Sequence, residues 1–471
     1  MNQTVDEFDV PQVTTEKLSH GTKLAYGVGD LGTAIVASLK GFFFLFFLTD
    51  VARMSPAAAG SILMLAKIWD AVNDPFVGWL SDRTRTRWGR RRPWILFGAI
   101  PFGLLFYLLW LTPPLNPTGL FTYYLVIALL GDIAYTVVNV PYAALTPELT
   151  RDYDERTSLN SYRFSFSVIG SLVAATCHPF IVDQFDNIRV GYAVSAAIWA
   201  IVATVPNFIV VAFTRERPEN VNPAQSTNST QQDAIPFLAQ IGIAFQNRPY
   251  RYVIGIYLLS WFVLQLIAVI IVYYLTYYLR SESLIPWVLL SIQGSAFVFL
   301  FVWGEASKRF DKRFVYMMGA GIWLLVQLVL YFVTPELRWL VIPLAVMAGS
   351  GVATAYLVPW SMMPDVIEFD EWETGQRREG IFYGFMVFLQ KACLALALYF
   401  VGLTLEWAGY LTPTEAIPNP IQPESALTAI RLLMGPIPAV VLAASIILVF
   451  FYPITRQKHQ EIRAALASRG A

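Results

Sequence analysis

The chain has 471 residues, 56% of them hydrophobic and 14% charged, and its 33 basic and 33 acidic side chains cancel. A water-soluble protein of this length needs more polar surface than that, so the composition points to a polytopic membrane protein. The balanced charge gives nucleic acid no electrostatic footing, and two cysteines, Cys177 and Cys393, each inside an apolar stretch, form no readable disulfide framework.

Residues 1–23 are polar and acidic, unlike a cleavable signal peptide, and read as a tail. A bilayer core needs about 20 apolar residues per helix. Twelve stretches meet that demand, at roughly 24–49, 58–80, 94–112, 120–145, 159–182, 192–213, 251–279, 285–305, 315–333, 339–363, 381–406 and 430–453. A polar interval containing "TRERPENVNPAQSTNSTQQD" splits them six and six. The expected organisation is an N-terminal six-helix bundle (24–213), a linker (214–250), a C-terminal six-helix bundle (251–453) and a second tail (454–471). In the linker, "IPFLAQIGIAFQ" suits a short helix on the membrane surface. The fold class expected is an all-α polytopic membrane protein of twelve transmembrane helices in two halves.

In chain order, the first span holds Asp30 within "YGVGDLG", where glycines permit close helix approach. The second carries "KIWDAVNDPFVGWLSDRTRTRWGRRRPW", with Asp70, Asn73 and Asp74 at i, i+3 and i+4 on one helix face. A carboxylate at mid-bilayer costs about 2.5–3.5 kcal/mol even on a lenient scale. Two of them one turn apart repel unless a proton or cation intervenes. Three oxygen-bearing side chains suit a hard, small cation such as sodium. A structural ion-pair network with Lys67 is the competing explanation. Pro75 follows at once and is expected to loosen the backbone, offering carbonyl oxygens as further ligands.

Span 4, "GDIAYTVVNVPYAAL", sets Asp132, Tyr135, Thr136 and Asn139 on adjacent faces. Span 5 holds Arg163 in "NSYRFSF", and span 11 holds Lys391 in "VFLQKACLA". Acidic groups in spans 1, 2 and 4 thus meet possible basic partners in spans 5 and 11, although Arg163, near a span end, could equally snorkel to the interface. A hydroxyl-rich substrate suits this mixture, with Tyr135, Tyr356 and Trp360 as rings on which a sugar could stack.

Lysines and arginines in short loops set the orientation. The 2–3 loop has Arg83, Arg85, Arg87, Arg90, Arg91 and Arg92; the 8–9 loop has Lys308, Arg309, Lys312 and Arg313; the 10–11 loop has Arg377 and Arg378. The 3–4 loop "TPPLNPTG" and the 11–12 loop have none. Both termini are therefore expected in the cytoplasm, which discounts the glycosylation sequon at Asn228-Ser229-Thr230. Charge pairs among Asp82, Arg83, Arg87, Arg91, Asp365, Glu368, Arg377 and Arg378 are expected to close that side. Gly78, Ser81 and Arg83 recur as Gly304, Ser307 and Arg309, and "PYAALTPE" echoes "PWSMMPDV", as a six-plus-six duplication would produce. His20, His178 and His459 are scattered, so no metal cluster is visible; no P-loop appears, and no nucleophile is paired with a base.

The stretches "YGVGDLG", "WDAVNDPFVGWLSDRTRTRWGRRRPW", "VNVPYAALTPELTRDYDERTSLNSYR" and "MPDVIEFDEWETGQRREG" together resemble the glycoside–pentoside–hexuronide:cation symporters of the major facilitator superfamily, whose best-known member is the melibiose permease. The resemblance implies a sodium site at Asp70, Asn73, Asp74 and Thr136, and substrate-facing roles for Arg163, Lys391 and Tyr356. The chain departs from the melibiose permease at Ala34, Asn139 and Ala143, where that protein has two aspartates and a tryptophan, so its galactoside grip is not reproduced. Asp30, one turn earlier, is placed as in members that look like glucuronide and xyloside carriers. Animal lysophospholipid–sodium symporters share the implied fold and the aspartate pair.

The expected function is a secondary active symporter of the plasma (inner) membrane, coupling sodium or proton movement to uptake of a sugar or glycoside by alternating access, with no cofactor. A lysophospholipid-like cargo and a non-transporting receptor are the alternatives. A wide apolar cavity opening to the bilayer would favour lipid; a narrow one lined by Asp30, Asn139, Arg163 and Lys391 would favour sugar.

Overall fold

The computed structural model describes residues 17–150, 152–216, 237–376, 378–417 and 420–469. Among them every regular element is helical, save an isolated bridge between Thr86 and Gly89. Twelve helices cross the bundle. They are α1 (His20–Val51), α2 (Pro56–Arg83), α3 (Arg92–Leu108), α4 (Pro117–Leu149), α5 (Asp154–Val182) and α6 (Ile188–Phe213) in the first half. The second half has α7 (Arg248–Tyr278), α8 (Glu282–Arg309), α9 (Lys312–Phe332), α10 (Pro335–Thr374), α11 (Glu379–Trp407) and α12 (Glu424–Phe450). Ten of the twelve are long and apolar enough to cross a bilayer by themselves. The other two are α2, which carries the charged motif, and α3, which is short. Shorter helices at Phe237–Gln246 and Arg456–Arg469 lie in the linker and the C-terminal tail.

Local chemistry sets the helix starts. Ser55, Asn116 and Asn247 each accept a hydrogen bond from a backbone N–H in the first turn, and a proline follows within two residues. At the start of α3 the Glu216 carboxylate accepts from the backbone N–H groups of Arg90 (2.6 Å), Arg91 (2.8 Å) and Arg92 (2.9 Å), an anion seated where helix N–H groups have no internal partner. Helix α10 runs to Thr374, about eleven residues past the expected span end, and stops at Gly375 in the left-handed region, φ 70°.

The recurring Gly-x-x-Ser stretches make the same local bond. Ser81 Oγ donates to the Gly78 carbonyl (2.9 Å) as Ser307 Oγ donates to that of Gly304 (2.8 Å). A further repeat escaped the sequence reading: α1 and α7 both end in a π-helical turn, Phe47–Val51 and Tyr274–Tyr278. Each turn holds a Leu-Thr pair and is followed by a left-handed arginine, Arg53 (φ 63°) and Arg280 (φ 50°).

The halves meet along α2 with α11, α5 with α8, and α1 with α7. At the end opposite the termini, here called the outer end, Tyr277 and Tyr410 (2.7 Å) of the second half both donate to Oδ1 of the buried Asp50. Thr49 shares a hydrogen bond with Tyr273 at 2.7 Å, and the Ala57 N–H donates to Glu406 at 3.1 Å. Gly60 and Gly402 let α2 and α11 touch; a Cβ at 402 would lie 2.4 Å from the Pro56 carbonyl oxygen. Large apolar side chains such as Phe97, Phe301 and Phe332 point outward, as a lipid-facing surface requires.

Candidate functional site

Among the described residues, polar side chains that bear on function gather at three neighbouring places inside the bundle. The first is built on α2, which runs unbroken through Pro75. The expected loosening is therefore confined to the carbonyl of Ala71, whose usual i+4 donor is missing. Asp70 and Asp74 converge on one cation, the Lys391 ammonium of α11. Its Nζ lies 2.5 Å from Asp74 Oδ2 and 3.1 Å from Asp70 Oδ2, and it also donates to the Asp70 carbonyl at 3.5 Å. From α4, Thr136 donates to Asp74 Oδ1 at 2.9 Å. Lys67 stands 3.5 Å from Asp70 Oδ2. Asn73 is buried beside them, its amide nitrogen without a partner. The Asp70 side chain is 7% exposed and that of Asp74 is 32% exposed.

The four residues expected to hold the cation are thus together, with a twist: an ammonium from the opposite half compensates the two carboxylates. The ion-pair network, set apart in the sequence as the alternative to a cation site, is what these carboxylates form in this conformation.

The second cluster joins Asp30 of α1 to Arg163 of α5, Nε to Oδ2 at 3.2 Å, with Thr33 donating to Asp30 Oδ1 at 3.1 Å. The Arg163 guanidinium lies 5.3 Å over the Tyr142 ring, which stacks on Tyr26 at 4.9 Å. Arg163 therefore points inward and does not snorkel. Tyr135 packs against Phe102 (6.1 Å), its hydroxyl in the field of Asp70, Asp30 and Asp74, between the two clusters. Asn139, one turn on, is half-buried. The third cluster, Lys40 with Asp132, was missed as a pair; Lys40 Nζ lies 2.6 Å from Asp132 Oδ1. Asp132 stands out in span 4, but the lone lysine within "ASLKGFFFLFF" was passed over.

On α10, Tyr356 and Trp360 stand one turn apart, 38% and 41% exposed. Tyr356 meets Trp261 edge-on at 5.2 Å, while Trp360 stacks on Tyr383 at 5.8 Å and meets Tyr257 at 6.2 Å. They form one side of an aromatic wall with a free face.

The charges expected to close the terminal end find partners within their own halves. Arg91 pairs with Asp82. Arg83 and Arg87 lie over Trp79 (4.0 Å) and Trp88 (5.2 Å). Lys312 holds Asp365 at 2.7 Å, His459 lies 2.8 Å from Glu368, and Arg378 holds Asp370 at 2.6 Å. Arg377 lies outside the described residues. The cross-half bonds gather instead at the outer end and at Lys391, so in this conformation the expected pairing between loops 2–3 and 10–11 is replaced by local pairs.

Comparison with known proteins follows the geometry. The family described as MFS/sugar transport protein matches residues 25–456. An uncharacterized symporter of Synechocystis sp., sll1374, is 41% identical, covering 97% of this chain and 98% of its own length. The isoprimeverose transporter of Lactiplantibacillus pentosus is 29% identical (92% and 88%), and the sodium-dependent lysophosphatidylcholine symporter 1 of Gallus gallus is 28% identical (96% and 90%). Among solved structures, a bacterial homolog of the human lysosomal transporter Spinster shares the fold, with TM-score 0.67 at 12% identity over 92% of this chain and 95% of that one.

Proposed function

This chain belongs to the MFS/sugar transport protein family, and we propose that within it the protein carries a sugar or glycoside, driven by sodium or a proton, into the cell. It is a multi-pass cation-coupled symporter and not an enzyme. We place both termini, and the arginine-rich loops, in the cytoplasm; the conformation described is then closed outward.

One observation carries the coupling mechanism: Lys391 of the second half sits between Asp70 and Asp74 of the first. A cation binding that pair, with Thr136 and Asn73 completing its shell, must displace the ammonium. Displacement breaks a link between the halves at mid-depth and hands a hydrogen-bond donor to the substrate. Removing one partner of a buried ion pair costs about 3–5 kcal/mol, so cation and substrate together, not either alone, offset the loss of the link. Each then favours the other's binding, as linkage demands.

The substrate reading rests on chemistry. Asp30 with Arg163, Asn139 and the released Lys391 offer donors and acceptors to hydroxyl groups, and Tyr356 with Trp360 offers an aromatic face to a sugar ring. Relatives of both kinds exist, carrying isoprimeverose or lysophosphatidylcholine by name. The lipid reading has one observation in its favour, an apolar hollow of about 510 Å³ between α3 and α4, lined by residues such as Phe97, Leu105 and Val137. None of the charged residues above lines it, which leaves it detached from the coupling site.

Reconstituted vesicles decide between them. With an inward sodium or proton gradient, a panel of labelled glycosides is expected to include one that accumulates, while lysophosphatidylcholine does not. Gradient-driven uptake of lysophosphatidylcholine without any glycoside would reverse the assignment, and no gradient-dependent uptake of either would favour a receptor.

A further inference from the structure

Asp132 is a deeply buried carboxylate, 3% exposed, and only half of it is used. Lys40 takes Oδ1 at 2.6 Å, whereas Oδ2 is buried without a partner. A buried acceptor left unpaired costs about 1–3 kcal/mol, more when charged, so such an atom calls for a reason. Asp132 precedes Thr136 by one helical turn on the same face of α4, on the outer side of the cation site.

Lys67 is the loosest of the ammonium groups nearby. Its 3.5 Å to Asp70 is well beyond the about 2.7–2.9 Å of a strong charge-assisted bond. Lys67 precedes Asp70 by one turn on α2 as Asp132 precedes Thr136 by one turn on α4, and Thr136 contacts both Asp70 and Asp74. The described residues of this interior therefore form one balanced set: Asp70, Asp74 and Asp132 against Lys40, Lys67 and Lys391. A cation arriving at Asp70 and Asp74 adds a positive charge, and an ammonium group must move away from it.

We propose that the open oxygen of Asp132 receives an ammonium displaced by the coupling cation, Lys67 turning from Asp70 to Asp132. Asp132 is then a positioning residue for cation binding. It touches neither cation nor substrate, but lowers the cost of admitting the ion. This inference rests on the cation reading of Asp70 and Asp74 given above.

The test is a cycle of sodium titrations on the purified full-length protein, following thermal stabilisation with choline as the balancing ion. Removing Lys67 alone, by Lys67→Met, lowers the sodium midpoint about two- to threefold. The charge-neutral Lys40→Met/Asp132→Asn protein is expected to raise the midpoint about tenfold, because the displaced ammonium has lost its acceptor. In that background Lys67→Met is expected to lower it again by about tenfold or more. Equal effects of Lys67→Met in both backgrounds, or a native midpoint in the double variant, would overturn the proposal. Lys40→Gln/Asp132→Asn, which keeps a neutral hydrogen-bonding pair, gives the same comparison should the first pair fail to fold. Asp74→Asn separates the two levels. If it leaves sodium stabilisation intact, or if the wild-type protein shows none, the sodium reading of Asp70 and Asp74 falls and the inference with it. If Asp74→Asn abolishes stabilisation while the cycle is additive, the inference alone falls.

Discussion

At the scale of single residues, the interior divides its labour between two pairs. In the proposed mechanism Asp74 and Asp70 serve the cation, and Asp30 with Arg163 serves the substrate. Arg163 forms an ion pair with Asp30, Nε to Oδ2 at 3.2 Å, and lies over Tyr142. Arg163→Gln keeps length and a donor but removes charge. Charged hydrogen bonds contribute about 1.5–3 kcal/mol, so the substrate half-saturation concentration is expected to rise about tenfold or more, with the sodium midpoint within about twofold of native. A sodium midpoint that moved as far as the substrate value would merge the two pairs into one site. Much of this was legible in the sequence, because a charged residue in an apolar run announces itself: Asp70, Asp74, Arg163 and Lys391 all stood out. Partners did not. Lys40 and Asp132 are 92 residues apart in sequence, and no local pattern ties them.

Among the helices, α2 and α11 form the contact through which the halves act on each other. They touch at Gly60 and Gly402 near the outer end and again through Lys391 at mid-depth. A Cβ at 402 would lie 2.4 Å from Pro56 O and 3.0 Å from Gly60 Cα, both backbone atoms that cannot swing aside. Overpacking of this kind costs about 1–3 kcal/mol, a cost the outer-closed conformation bears alone. Gly402→Val is therefore expected to speed alkylation of a cysteine placed at the buried Thr49, in a background lacking Cys177 and Cys393, by about fivefold or more. An unchanged rate would show that the two glycines do not hold the outer end shut. Helix existence was read correctly from hydropathy, but helix ends were not. Apolar runs measure bilayer depth, and α10 continues as "DVIEFDEWET" past the depth at which lipid needs apolar residues. The matching π turns were also hidden, since only the short Leu-Thr-x-x-x-Arg echo marks them.

For the whole molecule, two related halves close on each other at the outer end. Asp50 and Tyr277 occupy corresponding places in the repeated turns and bond across the axis that relates the halves. The terminal end, by contrast, is tied by pairs within each half, such as Arg91 with Asp82 and Lys312 with Asp365. Alternation between this arrangement and its opposite needs a trigger at mid-depth. In the proposed mechanism the Lys391 bridge supplies it, because an arriving cation and that ammonium cannot both neutralise Asp70 and Asp74. Equilibrium binding of labelled sodium to the purified full-length protein tests this most directly. Asp74→Asn is expected to lose binding and Lys391→Met, which removes the competitor, to tighten it by about tenfold. Sodium binding that survives Asp74→Asn, or that vanishes with Lys391→Met, would contradict it.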